Sequence, residues 1–189
     1  MSSGRKQFSK FKKTINFLGA IVNLFPRFVL VFWYDCTRQF SQLPFILLRY
    51  LILKSLAKNC GDNIRIGTNV TIKNWMNLVL GSNISIHDNC YIDASGGIRI
   101  GNNVSIAHNS TLLSSTHTFE DLSLPIKYNK TLKGPLNIYD DVWIGCGVRV
   151  LNNLTISSRV VIAAGAIVNK SLEPGNVYGG VPVKKIKSI

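Results

Sequence analysis

Six aliphatic residues stand six apart without a miss: Ile138, Ile144, Val150, Ile156, Ile162 and Val168. A period of six fits neither an amphipathic helix, which repeats every 3.6 residues, nor a half-buried strand, which repeats every two. It fits a chain that turns a corner every six residues, each turn sending one aliphatic side chain into a shared core. Hexapeptide periods of this kind build parallel β-helices, so the pattern predicts an all-β solenoid.

The same beat runs earlier with gaps, in Ile66 and Ile72, in Leu80, Ile86 and Ile92, and in Ile100, Ile106 and Leu112. Gly often follows the inward residue, as in Ile66-Gly67, Leu80-Gly81, Ile100-Gly101 and Ile144-Gly145. A corner asks for backbone freedom and no bulky Cβ, which Gly supplies. A second aliphatic position recurs four residues later, at Val70, Ile84, Val104, Val142, Val148, Leu154 and Val160. Asn and Asp fill much of the rest, as turns prefer. Most of the N-x-[ST] triplets, such as those at Asn69, Asn83, Asn103, Asn109 and Asn153, are read as by-products of that turn chemistry.

Cys36, Cys60, Cys90 and Cys146 have no CxxC spacing, so neither a zinc site nor a disulfide framework is indicated. They read as small hydrophobes in a reducing cytoplasm.

The net charge of +13 is unevenly spread. Residues 1–60 carry ten Lys or Arg and a single acid, Asp35, and are also the most apolar part of the chain. Pro26 and Arg27 interrupt the apolar run from Ile15 to Tyr34, which argues against a transmembrane span. No small-residue cleavage site follows the run, so a signal peptide is disfavoured too. Two readings of residues 1–59 stand side by side: cationic helices lying on an anionic membrane surface, or a cap over the solenoid's open end. No nucleic-acid-binding motif accompanies the basic residues.

The rhythm is lost altogether over the twenty-five residues 113–137. A loop of that length inside a compact repeat is functional or disordered. It carries His117, one of three histidines with His87 and His108. Imidazole titrates at about 6.5 and is the usual general base, which makes His117 the candidate catalyst.

The segment Gly134-Pro135-Leu136-Asn137-Ile138-Tyr139-Asp140-Asp141-Val142-Trp143-Ile144-Gly145 resembles the re-entry segment of the hexapeptide-repeat O-acetyltransferases. Ile162-Ala163-Ala164-Gly165-Ala166-Ile167-Val168-Asn169-Lys170 and Tyr178-Gly179-Gly180-Val181-Pro182-Val183-Lys184 extend the likeness, which covers roughly residues 60–187. Residues 1–59 differ from the soluble sugar acetyltransferases. Leu47-Leu48-Arg49-Tyr50-Leu51, leading into Cys60-Gly61-Asp62-Asn63, is more similar to bacterial surface-polysaccharide members.

The resemblance implies a left-handed parallel β-helix over residues 60–170 and a tail, 171–189, that closes a coenzyme A site. It implies a homotrimer that uses acetyl-CoA and no metal to acetylate a sugar hydroxyl, in surface polysaccharide or lipopolysaccharide synthesis. The expected location is the cytoplasm, at the inner face of the membrane. His117 matches the family's catalytic histidine. Cys146 and Ala164 match positions beside the pantetheine arm, Asn169 and Lys170 a pair near the nucleotide, and Lys184 and Lys187 basic residues near the phosphates. Trp143 is expected to be structural or a groove wall.

On the acceptor side, His87 falls where sugar acetyltransferases place an Asn, and Asp93 lies near an acceptor-contacting position. That Asn-to-His change sets galactoside- or maltose-type acceptors in doubt. Alternatives are a free sugar, an amino sugar or an antibiotic as acceptor, a carbonic-anhydrase-like metal enzyme using the three histidines, and a non-catalytic scaffold.

Overall fold

Each six-residue beat becomes one side of a three-sided coil in the computed structural model, which describes residues 4–189. Residues 1–3 of the basic segment lie outside the described residues. Coil 1 has strands at Asn59–Cys60, Ile64–Ile66 and Thr71–Lys73; coil 2 at Leu78–Leu80, Ile84–Ile86 and Tyr91–Asp93; coil 3 at Ile98–Ile100, Ser105–Ile106 and Thr111–Leu113. After the long loop, coil 4 has strands at Leu136–Ile138, Trp143–Ile144 and Arg149–Val150, and coil 5 at Leu154–Ile156, Val161–Ile162 and Ile167–Val168. A sixth coil bridges through Leu172 and runs along Asn176–Gly179.

The strands stack into three sheets, here faces 1, 2 and 3 in the order each coil visits them. Register is the in-phase hexad. On face 2, Ile66, Ile86, Ile106, Ile144, Ile162 and Tyr178 pair in succession. The five isoleucines of that column are at most 1% exposed. Burying one such side chain stabilises by about 1.5–3 kcal/mol, so the repeat is itself the source of stability. Strand alternation sends the intervening residues outward. Trp143, between buried Val142 and Ile144, therefore points out from face 2 and is 56% exposed, so it adds little to the core.

The corners divide their labour between two residue types. Left-handed backbone is taken mainly by asparagine, at Asn63, Asn69, Asn83, Asn89, Asn103, Asn109 and Asn153, with φ between 53° and 60°. Asn tolerates this region better than other side chains. The glycines after the inward residue have a different task. A Cβ on Gly61 would lie 2.4 Å from the Gly81 carbonyl oxygen, and one on Gly145 would lie 2.6 Å from that of Ile162. They permit close approach of the next coil rather than an unusual φ.

Three helices precede the solenoid: α1 (Gly4–Val22), α2 (Arg27–Thr37) and α3 (Leu43–Leu56). In later coils certain carbonyls accept hydrogen bonds from the coil beneath, as Ile86 does from Gly67 N and Cys90 from Thr71 N. Coil 1 has no coil beneath it. Arg49 Nε donates to the Ile66 carbonyl at 3.1 Å, and the Tyr34 hydroxyl to that of Val70 at 2.8 Å. Arg49 is fully buried and also donates to the Phe40 carbonyl at 2.7 Å. The helices thus cap the open end, with Leu53, Leu56 and Tyr50 packed in the same core. At the other end Lys184–Ser188 folds back antiparallel on Asn176–Gly179.

No single described helix is long and apolar enough to cross a membrane; α1 and α2 form a bent apolar pair with 119° between them.

Candidate active site

The coils are not equal at every edge. Between faces 2 and 3 each of coils 1 to 5 passes with the same short corner. Between faces 3 and 1 the spacing from inward residue to inward residue is eight at Ile72–Leu80 and Ile92–Ile100, but six at Val150–Ile156. At the intermediate coil, from Leu112 to Ile138, the same edge extrudes the long loop. All irregularity is therefore stacked on one edge.

The loop is a built structure. Ser115–His117 pairs antiparallel with Thr131–Lys133, placing His117 opposite Thr131 and Ser115 opposite Lys133. Ser114, fully buried, roots the hairpin: its Oγ donates to the Asp93 carbonyl at 2.7 Å and accepts from Gly96 N at 2.8 Å. Gly96 is required by this approach, since a Cβ there would lie 2.0 Å from the Ser114 carbonyl oxygen. Farther out, buried Asn129 ties the turn together, its Oδ1 accepting from Asp121 N and its Nδ2 donating to the Asp121 carbonyl.

Beneath the hairpin lies Asp93. Its carboxylate accepts from Ser95 Oγ at 2.8 Å, Ser95 N at 3.0 Å, Asn74 Nδ2 at 3.1 Å and Ser115 Oγ at 3.1 Å. Burial pushes the Asp93 carboxyl up, but these donors outweigh it and hold the group below the ordinary carboxylate range. Ser115 and His117 are two apart on one strand and share a face of the hairpin. The ionised Asp93 thus anchors the side of the hairpin that carries His117, and His117 itself is exposed.

The other expected residues divide between two edges. His87 and His108 lie at the corner between faces 2 and 3, on coils 2 and 3; Cys146 and Ala164 continue that edge upward on coils 4 and 5. Ladder bonds from Gly147 N to the His108 carbonyl and from Gly165 N to that of Cys146 confirm the stacking. Lys184 joins the top of this edge, paired with Gly179, whereas Lys187 pairs with Val177, farther across face 2. Asn169 and Lys170 are exposed on the edge between faces 3 and 1, with Asp93 and the His117 hairpin.

Within one chain, then, His117 and the Cys146–Ala164 pair occupy different edges of the prism. No group of His, Cys, Asp and Glu among the described residues is arranged to hold a metal ion.

Sequence reading missed Ser95, Ser115, Asn74 and Gly96, which position the loop. The one available signal was the twenty-residue spacing of Ser95 and Ser115, equal to the length of a coil here.

No family model matches the chain. A Schizosaccharomyces pombe protein named as an acetyltransferase is 49% identical over 55 residues, 29% of this chain and 27% of that protein. The galactoside O-acetyltransferase of Escherichia coli is 42% identical over 55 residues, again 29% and 27%. The match thus spans less than a third of the length of these curated relatives. Among solved structures, a maltose O-acetyltransferase from Clostridium difficile superposes with a TM-score of 0.72 at 28% identity, covering 85% of this chain and 88% of that one. A galactoside acetyltransferase in complex with coenzyme A gives 0.76 at 29%, covering 86% and 78%. These neighbours are left-handed β-helix acetyltransferases, and both the resemblance read from the sequence and the solenoid it implied are borne out.

Proposed function

We propose that this protein is an acetyl-CoA-dependent O-acetyltransferase acting on a saccharide hydroxyl, with His117 as general base. The observation that carries the reading is the exposed His117 on a hairpin rigidly rooted by Ser114, Gly96 and the Asp93 carboxylate. The acceptor oxygen attacks the thioester carbonyl while His117 takes its proton. A C–O bond forms, the C–S bond breaks, and the imidazolium returns the proton to the departing thiolate. Cys146 is not required as a nucleophile.

The edge between faces 2 and 3 suits the pantetheine arm of coenzyme A. Gly145, Gly147, Ala163, Ala164 and Gly165 line it with small residues, and a Cβ on Gly165 would meet nothing within 4 Å. Lys184 at its upper end supplies positive charge for phosphate, and Asn169 and Lys170 would serve the nucleotide from the other edge.

The active unit in this reading is a homotrimer. The base and the coenzyme A edge are separated in one chain, and a neighbouring copy brings one against the other. The hairpin surface supports this: Leu122 is 94% exposed and Phe119, Ile126 and Tyr128 are exposed beside it, an apolar area that a second subunit would cover. Three copies with heterologous contacts close as a ring. His87 of one copy then faces the same groove as Asp93 and His117 of the next, and His87 and Asp93 serve the acceptor.

The acceptor is assigned to surface polysaccharide synthesis at the cytoplasmic face of the membrane. Around the α1–α2 elbow Phe17, Leu24, Phe28 and Phe32 are exposed, and Lys10 and Lys13 are exposed on α1. Such a surface suits the interface of an anionic bilayer. Because α2 and α3 also cap coil 1, deletion of residues 1–59 would uncover the core. The informative variant replaces Phe17, Leu24, Phe28 and Phe32 with Ser, and flotation with anionic vesicles should be lost while the fold persists.

The decisive test is acetyl-CoA binding and slow hydrolysis by the purified protein. His117→Ala should keep the trimer and coenzyme A binding and lose about 10²–10⁴ in turnover. Retained turnover would remove His117 as base. No binding by either protein would end the transferase reading.

A further inference from the structure

We infer that a basic groove at the foot of the hairpin binds an anionic group, phosphate or carboxylate, carried by the acceptor saccharide. The groove measures about 390 Å³ and lies where face 1 meets the irregular edge, bounded by Lys58, Arg99, Lys133, Ser95, Gly96 and Asn137. The inference rests on the acetyltransferase reading only for the word acceptor; the groove's anion affinity stands on its own residues.

Three observations carry it. First, the charge is one-sided: three cations line the groove and no carboxylate does. They come from separate stretches of chain. Lys58 precedes coil 1, Arg99 projects outward from the coil 3 strand on face 1, and Lys133 ends the hairpin. Second, none of the three has a carboxylate partner among the described residues, so no acid of the chain neutralises the charge gathered in the groove. Fold stability is not served by gathering unpaired like charges, which repel. An anionic ligand compensates them, and the Arg99 guanidinium offers paired donors for phosphate or carboxylate oxygens.

Third, the groove is continuous with the proposed reaction centre. Lys133 is the cross-strand partner of Ser115, two residues from His117 on the same strand. Two residues of strand span about 7 Å, a separation that a saccharide of two rings bridges. Ser95, on the groove wall, is hydrogen-bonded to Asp93 at 2.8 Å and lies 3.0 Å, Oγ to Oγ, from Ser115. An anionic substituent held by the three cations would place a neighbouring ring's hydroxyl at the Asp93 and His117 side of the hairpin. Acidic saccharides and glycosyl phosphates meet this description; neutral disaccharides do not.

The test uses the full-length protein saturated with coenzyme A, so that phosphate sites for the nucleotide are already filled. Binding of glucose 1-phosphate, glucuronate and glucose is measured by ligand-observed NMR. It is compared between wild type, Lys58→Gln/Arg99→Gln/Lys133→Gln, and a control of equal charge away from this edge, Lys10→Gln/Lys13→Gln/Arg65→Gln.

The expected result is saturable binding of one or both anions but not glucose, weakened tenfold or more in the groove variant and unchanged in the control. Preference between the phosphate and the carboxylate sugar identifies the source of the anion. Equal binding of glucose, equal loss in both variants, or no anion binding would overturn the inference. Coenzyme A binding and acetyl-CoA hydrolysis, recorded on the same samples, separate the two readings: normal turnover without anion binding removes the groove alone. If coenzyme A fails to bind, the transferase reading falls, and anion binding lost only in the groove variant would leave the groove an anion site.

Discussion

Two edges of the same prism behave differently. Between faces 2 and 3, five coils pass with one corner geometry, and the ladder runs unbroken from Gly67 N to the Ile86 carbonyl up to Ala163 N to that of Tyr178. Between faces 3 and 1 the corners lengthen, and one coil throws out a hairpin rooted by Ser114 and Asp93. The regular edge stabilises each coil through its neighbours. The irregular edge gathers polar side chains with no part in the hexad, and its hairpin carries the proposed base. In this solenoid stability depends on repetition, with each coil held by its neighbours, while the proposed base sits on a departure from it.

If that division holds, substitutions on the two sides should fail in different ways. Ile144→Ala, in the buried column of face 2, should cost about 2–5 kcal/mol by leaving a cavity between coils 3 and 5. Its signature is a lowered denaturation midpoint, with kcat of the still-folded fraction little changed. A fall in turnover without loss of stability would blur the comparison.

Gly96→Ala is the counterpart on the irregular edge. Its Cβ would collide with the Ser114 carbonyl, so the hairpin must shift. A displacement of about 1 Å costs on the order of 10²-fold in turnover, and the thermal midpoint should move only slightly. Unfolding of this variant would show that the hairpin root belongs to the scaffold after all.

The smallest expected effect is acid dependence at Asp93. Its carboxyl is held below the ordinary value, so its contribution to hairpin docking is complete above the unfolded pKa of about 4. That contribution is lost as pH falls through the lowered folded value. Amide protection at Thr116 and Thr118 should therefore fall below about pH 4 more in wild type than in Asp93→Asn, in which this carboxylate no longer titrates. The same fall in both would assign the effect to another group.

Most of the scaffold was legible in the chain. The hexad beat named the inward residues, and those of Ile138 through Val168 are all buried within 1% exposure. The Asn-rich triplets proved to be corners: Asn69, Asn83, Asn103, Asn109 and Asn153 all have positive φ. The excursion was visible as missing beats. Its internal pairing was not, because Ser115–Lys133 and His117–Thr131 obey a local antiparallel register with no hexad signature. Of the two expectations for Trp143, the groove wall fits: its place between two inward residues sends it out, where it lines a surface groove with Ser105 and Val161.

The cap shows the same limit. Composition left residues 1–59 open between covering the solenoid and lying on a membrane. Only the folded chain places Arg49 and Tyr34 beneath coil 1, under the Ile66 and Val70 carbonyls. What the sequence alone determined is the period, and with it the prism, its core and its corners, because those depend on residues six apart. What tertiary structure decided is which residues share an edge. Asp93 meets Ser115 across twenty-two residues, and Lys58 shares a groove with Lys133, because stacking makes distant coils adjacent. No local pattern encodes those meetings; they follow from coil length and from where the chain leaves the stack.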